Sequence, residues 1–356
     1  AANGHPKALA VLQEATGHKM RGVRQAAVGL VEQVAQWRGW SAQELADRTV
    51  PTAGFGSDGL LRLSYGEREF TGRLGPDLRI VVSDASGRPV RSLPAPRVDE
   101  DPEVVKEARR LLRVARKEAR AVLVHQSARL YEAMCASRTW SGADWRELLA
   151  GHPLVGRLVT RLVWTTTSGE GLVTFRPTED GALLGVDDVE VSLADNASVG
   201  LAHGTLLEPG LVEAWRAHLA DYQVDPLFDQ FSAPAPDVDA GQTTIQDGAG
   251  RLVVARDLRR AAQARGYERA STRYRYRELT KDFPDLGLRS VIDLDGADAW
   301  DEGQTTTTGA LTLRRGRRPV PLDQVPPVLL AECYADYRAV AEAAPVRRRG
   351  RRRTRP

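Results

Sequence analysis

R-T-W-S-G-A-D-W-R-E-L-L (residues 138–149), G-H-P-L-V-G-R-L-V-T-R-L-V-W-T-T (151–166) and G-L-V-T-F-R-P-T-E-D-G-A-L (171–183) form the stretch in which a helical pattern hands over to strands. Trp140, Trp145 and Trp164, three of the seven tryptophans, fall inside it. Ser141 with Asp144 reads as a capping-box start for a short helix carrying Trp145, Leu148 and Leu149. An apolar strand-like run follows residues 161–164, and Phe175 with the Asp180-Gly181 turn marks the next hairpin. Large side chains gathered at a helix–strand junction predict a hub of the core.

Outward from the hub, the N-terminal side reads as helix, then sheet, then a long helix. Residues 6–37 carry two apolar stripes, Ala8, Leu9, Leu12, Ala15 and then Val23, Ala27, Leu30, Val31, Val34. They predict a helical pair, equally the end of an α-solenoid or a simple hairpin cap. Ser41 and Glu44 make a second capping box ahead of Val50-Pro51. Turn pairs at Asp58-Gly59, Tyr65-Gly66, Gly75-Pro76 and Ser86-Gly87 punctuate alternating segments, predicting a four-stranded antiparallel meander. Asp101-Pro102-Glu103 opens a helix expected to reach about residue 136, with Val104, Ala108, Leu111, Ala115, Ala119, Val122, Gln126, Leu130 and Met134 on its buried face. Its basic run, from Arg109 to Arg120, reads as a solvated side.

Beyond the hub the expected elements are a strand at 189–193, an amphipathic helix at 209–222, a strand at 251–254 and a helix at 255–265. Strands near 288–294 and 305–314 and a helix opened by Pro326-Pro327 complete the pattern. Residues 232–241, rich in proline, read as a connector. The organisation expected is a helical segment (1–50), a core (51–231), a C-terminal α+β subdomain (232–345) and a disordered arginine-rich tail (346–356). The fold class is α+β: an N-terminal helical pair, a β-meander, a long helix and a mixed C-terminal half.

Composition bounds the function classes. The chain is 42% apolar and 27% charged, as in globular proteins. No apolar run approaches the roughly 18 to 20 residues that cross a bilayer. The first residues lack the features of a signal peptide, and the absence of an initiator methionine suggests a piece of a longer chain. Cys135 and Cys333 do not suggest a disulfide framework, so a cytoplasmic setting is expected. The net charge of +3 conceals a division: the tail holds seven arginines and no acid, which leaves residues 1–346 at −4.

Several words now carry a resemblance. E-L-A-D-R-T-V-P-T-A-G (44–54), L-S-Y-G-E-R-E-F (63–70), S-G-R-P-V-R-S-L-P-A-P (86–96), R-T-W (138–140), H-P-L-V-G-R-L-V-T-R-L-V-W (152–164), F-R-P-T-E-D-G (175–181), V-S-L-A-D-N-A-S-V-G-L-A-H (191–203) and W-R-A-H-L-A-D-Y-Q-V-D-P-L-F-D-Q (215–230) occur in order. Together they resemble the bacterial domain of unknown function at the C-terminal end of molybdate-metabolism-regulator-like (MolR-like) proteins. The chain departs from that pattern at Gly204, where the family usually has proline, and at Leu227, an insertion. The resemblance implies a large multidomain cytoplasmic protein of bacterial systems with MoxR-type AAA+ ATPases, von Willebrand A-domain proteins and SWIM zinc-finger proteins. It supplies no catalytic residues. Trp140, His152, Trp164, Arg176, Asp180, His203 and Trp215 are motif positions without an assigned role.

Patterns that carry chemistry are scarce. A nucleophile elbow, a Walker A loop and a G-x-G-x-x-G turn are absent, and no histidine or cysteine has metal-ligand spacing. Asp187, Asp188 and Glu190, or Asp293, Asp295, Asp298 and Asp301, are candidate cation ligands, though turn acids are usually solvated. No cofactor is expected. The first expectation is a non-enzymatic scaffold or adaptor that docks a MoxR-type ATPase or an A-domain protein. An alternative is nucleic-acid binding through Arg273, Tyr274, Arg275, Tyr276 and Arg277, which combine charge and stacking surface, and through tail residues Arg347, Arg348, Arg349, Arg351, Arg352, Arg353 and Arg355. A third is an uncharacterised enzyme built around His152 and His203.

Overall fold

The computed structural model of the chain describes residues 20–168, 171–270, 278–296 and 305–343. The chain divides into two compact units, Ala1–Arg129 with Trp140–Val199, and Leu130–Thr139 with Gly200–Pro356. The expected helix within residues 6–17 lies outside the described residues.

The first unit opens with α1 (Arg21–Arg38) and α2 (Ala42–Arg48). Helix α1 buries Ala27, Val31 and Ala35, while Val23 and Leu30, expected on that stripe, are exposed. Both halves of the capping box form at α2: Ser41 N–H donates to Glu44 Oε2 at 2.7 Å and Glu44 N–H to Ser41 Oγ at 3.2 Å. Next come β1 (Leu61–Ser64), β2 (Glu69–Leu74), β3 (Ile80–Asp84) and β4 (Pro89–Val90), the expected antiparallel meander in sequence order. Alternation decides its faces: Leu61, Leu63, Phe70, Leu74, Ile80 and Val82 point inward. Gly66 and Gly87, at φ +96° and +82°, turn the chain where a side chain would be strained.

Helix α3 (Pro102–Cys135) is 34 residues, about 51 Å at 1.5 Å per residue. Asp101 Oδ1 accepts the Glu103 N–H at 2.9 Å, and Pro102 occupies the first turn. Its inward stripe starts one residue later than expected. Val105 and Leu112 are buried, whereas Val104 and Leu111 are exposed, because the stripe through Ala108, Ala115, Ala119 and Val122 requires a 3.6-residue repeat.

The hub follows as β5 (Thr139–Ser141), one turn of α4 (Gly142–Asp144), a π-helix (Trp145–Ala150) and α5 (Gly156–Val159). Ser141 Oγ accepts the Asp144 N–H at 3.1 Å, so the cap forms, while the Asp144 carboxylate turns to Arg48 at 2.8 Å. The expected strand run begins at Trp164: β6 (Trp164–Ser168) pairs with β7 (Gly171–Pro177), which pairs with β8 (Leu183–Leu184). With β9 (Ser198–Leu201) the sheet is ordered β5-β9-β6-β7-β8. The strand expected at 189–193 is reduced to one bridge between Leu184 and Glu190, since the chain turns at Asp188, at φ +62°, and leaves Val189 exposed.

The second unit contains α6 (Pro209–Asp221), β10 (Thr244–Ile245), β11 (Leu252–Val254), α7 (Ala255–Gln263), β12 (Glu268–Arg269), β13 (Glu278–Phe283), β14 (Leu288–Gly296), β15 (Thr305–Arg315), β16 (Arg318–Pro319) and α8 (Pro327–Ala341). Its sheet runs β10-β15-β14-β13-β12, with β11 and β16 also on β15, and these strands pair antiparallel. Leu329, Cys333, Tyr337 and Val340 of α8 join Val253, Leu258, Ile292, Leu311 and Leu313 in its core. Helices and antiparallel sheets together make the chain α+β, as expected.

Candidate functional site

The hub forms one wall of a cleft of about 1010 Å³ in the first unit. On the meander side it is lined by Thr71 and Arg73 of β2 and Val81 and Ser83 of β3, the outward positions of those strands. Cross-strand pairing sets Arg73 opposite Val81 and Thr71 opposite Ser83. On the hub side Trp145, Arg146, Gly151, His152, Gly156 and Arg157 contribute.

Local structure explains this wall. The Gly151 N–H reaches back five residues to Arg146 O at 2.7 Å, the wide turn of a π-helix. Such turns are held by surrounding packing and recur at functional sites. A Cβ on Gly156 would stand 2.5 Å from Ala150 O, so glycine is required for the chain to pass the end of that turn. Behind the wall, Trp145 and Trp140 meet Trp164 edge-on at centroid distances of 5.3 and 5.9 Å, and Trp145 meets Phe175 at 5.5 Å.

The charges of the cleft are mostly compensated. Arg157 pairs with Glu179 at 2.7 Å, Arg146 with Asp195, and Asp58 with Arg62 at 2.5 Å. The Arg73 guanidinium makes no ion pair or hydrogen bond with any described residue. The indole N–H of Trp145 is buried and has no hydrogen-bond acceptor among the described residues.

The motif positions divide between the two units. Trp140 donates to the buried Asp47 carboxylate at 2.8 Å, which also takes Arg129 at 2.7 Å. Trp164 donates to Val159 O at 3.0 Å, and Arg176, buried in β7, donates to Pro177 O at 3.4 Å. Asp180 is exposed; the Thr178 hydroxyl and the Ala182 N–H hold its carboxyl below its usual range. Trp215 is buried in α6, edge-on to His218 at 4.9 Å. These are structural contacts of core and turn.

The two histidines share no partner. His152 Nδ1 accepts the N–H groups of Leu154 and Val155, each at 3.2 Å, and Nε2 lies 3.2 Å from Val50 O. Accepting at Nδ1 puts the proton on Nε2, the neutral form, and burial lowers the pKa in the same direction. His203, in the second unit, accepts the Thr205 N–H at Nδ1, 3.2 Å, and sets Nε2 3.2 Å from Glu332 Oε1. Glu332 Oε2 accepts the Tyr131 hydroxyl at 2.8 Å. Lys281 Nζ reaches that hydroxyl at 3.3 Å and Asp336 Oδ2 at 2.9 Å. The Lys281 ammonium also lies 4.8 Å from the Tyr131 ring centroid and 5.5 Å from that of Phe283. Burial raises the Asp336 carboxyl, opposed by Lys281. Burial also holds both thiols protonated, with Cys333 pushed up to about 12 and Cys135 raised as well.

Sequence reasoning missed Tyr131, Lys281, Glu332 and Asp336. A signal was present at Lys281: in E-L-T-K-D-F it shares the alternating face of the buried Leu279 and Phe283. At Gly204, the departure from proline, the N–H donates to Gln230 O at 2.8 Å, a bond proline lacks. Arg273 to Arg277 and the tail arginines lie outside the described residues, as do Asp298 and Asp301. Among the described residues, no three His, Cys, Asp or Glu side chains converge to hold a metal ion, and no helix is long and apolar enough to cross a membrane.

Fold and site thus describe an α+β protein with a walled cleft in one unit and a buried polar network in the other. The chain belongs to the family described as Domain of unknown function (DUF4132), whose profile matches residues 87–267. It is 32% identical over 218 residues to "Uncharacterized protein YehI" of Escherichia coli (strain K12), an alignment covering 60% of this chain and 18% of that protein. The chain therefore spans less than a fifth of the relative's length. No solved structure matches it.

Proposed function

We propose that this chain is a non-enzymatic adaptor that docks a protein partner in the cleft of its first unit. The observation that carries the reading is the cleft itself, walled by the motif words at 152–164 and 175–181 and floored by the outward face of the meander. Within its family we place the chain among MolR-like cytoplasmic proteins, which makes a MoxR-type ATPase or a von Willebrand A-domain protein the expected class of partner. Against an enzyme stands the use already made of the motif side chains: His152 and His203 are engaged at both ring nitrogens, and the tryptophan rings are core.

The test compares the tagged chain with a Ser83→Trp variant, which fills the cleft from a strand's outward face, in affinity capture from the bacterium that carries it. Retention of an ATPase or A-domain protein by the first and its loss by the second is expected. Equal retention by both, or retention of neither class, contradicts the proposal. The alternative of nucleic-acid contact rests on the arginines at 273–277 and 347–355. It predicts binding that falls steeply with salt and vanishes without residues 347–356.

A further inference from the structure

We infer that the occupant of the cleft is an extended acidic peptide segment, seated with a carboxylate on Arg73. This rests on the docking reading above and adds the chemistry of the partner. Three arginines line the cleft, Arg73, Arg146 and Arg157, against two acids, Asp58 and Glu179. Arg157 is neutralised by Glu179 and Arg146 by Asp195, while Asp58 holds Arg62. Only the Arg73 guanidinium is left over among the described lining cations. Its planar fork of N–H donors matches a carboxylate in bidentate geometry.

The surroundings of Arg73 suit a chain more than a compact ion. Val81, exposed at 43%, sits opposite it across the strand pair, and the hydroxyls of Thr71 and Ser83 form the next pair. The charged and apolar pair is thus followed, two residues along each strand, by a hydroxyl pair, a spacing that successive same-side side chains of an extended peptide share. The volume of about 1010 Å³ sits at the upper end of the roughly 300–1,000 Å³ typical of small-molecule pockets. A nucleic-acid backbone would bring a run of phosphates to a single uncompensated cation, a poor match.

The test uses fluorescein-labelled octapeptides of alternating Leu and Glu, Leu and Gln, or Leu and Lys, with fluorescence anisotropy on the full chain. The Leu–Glu peptide is expected to bind about tenfold more tightly than Leu–Gln, and Arg73→Glu to remove that advantage and favour Leu–Lys. Arg113→Glu, the same charge change on the exposed side of α3, leaves binding unaltered; equal weakening by both variants overturns the inference as bulk electrostatics. Equal binding of Leu–Glu and Leu–Gln, both lost in Ser83→Trp, overturns the acidic chemistry and leaves the docking cleft standing. Binding that Ser83→Trp does not affect removes the cleft and the inference together. Absence of binding by any peptide to the folded wild type overturns the inference alone.

Discussion

In the first unit His152 gives both ring nitrogens to backbone groups, and the hydrogen-bond partners of its ring lie at 50 and 154–155. In the second, His203 gives one nitrogen to its own turn and the other to Glu332, which leads through Tyr131 to Lys281 and Asp336. Either histidine, seen in sequence, is a polar residue inside a motif. The difference between them is the number of chain segments that must be in place before the side chain is satisfied. His152 is a local brace for the cleft wall, whereas His203 is one end of a network assembled from four separated segments.

The largest effect should come from cutting the network. Lys281→Met leaves Asp336 buried without its nearest cation and is expected to cost roughly 3 kcal/mol in urea unfolding of the second unit. Adding Asp336→Leu should restore most of the loss; a double variant as weak as the single one would break the comparison. His152→Ala removes two backbone caps and the Val50 contact, for a loss of about 2 kcal/mol. Its pH signature also differs. The folded pKa lies below the unfolded value, so the unfolded chain binds the proton first. The stability from neutral His152 is full above the unfolded value of 6.5 and is lost as pH falls through the lower folded one. His152→Ala should flatten that part of the stability profile.

A smaller difference separates two buried tryptophans. Trp164→Phe removes one of the two hydrogen bonds to Val159 O and leaves that of the Leu162 N–H, whereas Trp145→Phe deletes an N–H without an acceptor among the described residues, so the first should cost about 1 kcal/mol more by thermal denaturation. The smallest effect is expected at Glu100, whose pairing with Arg68 lowers its pKa to about 2. Its contribution is present above the usual value of 4.5 and is lost as pH falls toward 2, and Glu100→Gln should remove that dependence from an acid titration of stability.

Local rules made much of the scaffold legible. The turn glycines marked the meander, the Asp-Pro-Glu start and apolar stripe marked α3, and the tryptophans of 138–183 marked the hub. Legibility ended where distant segments decide. The offset of Val105 and Leu112 depends on what α3 packs against, and the π-turn at 145–150 on a close backbone approach at Gly156. The strand expected at 189–193 shrinks to a bridge because its pairing partner, β8, is only two residues long and the chain turns at Asp188 between them. For the site the division is sharper: the motif words at 152–164 and 175–181 line the cleft, but Arg73 and Ser83 read only as solvent-facing residues until the hub is placed opposite them.

Occupation of the cleft between the meander and the hub by a partner can be read directly in living cells. A photo-crosslinking amino acid at Ser83 is compared with one at Arg113, on the exposed side of α3. A docked partner gives a discrete protein adduct from position 83 and none from position 113. Adducts from position 113 alone, or from neither position, would contradict it.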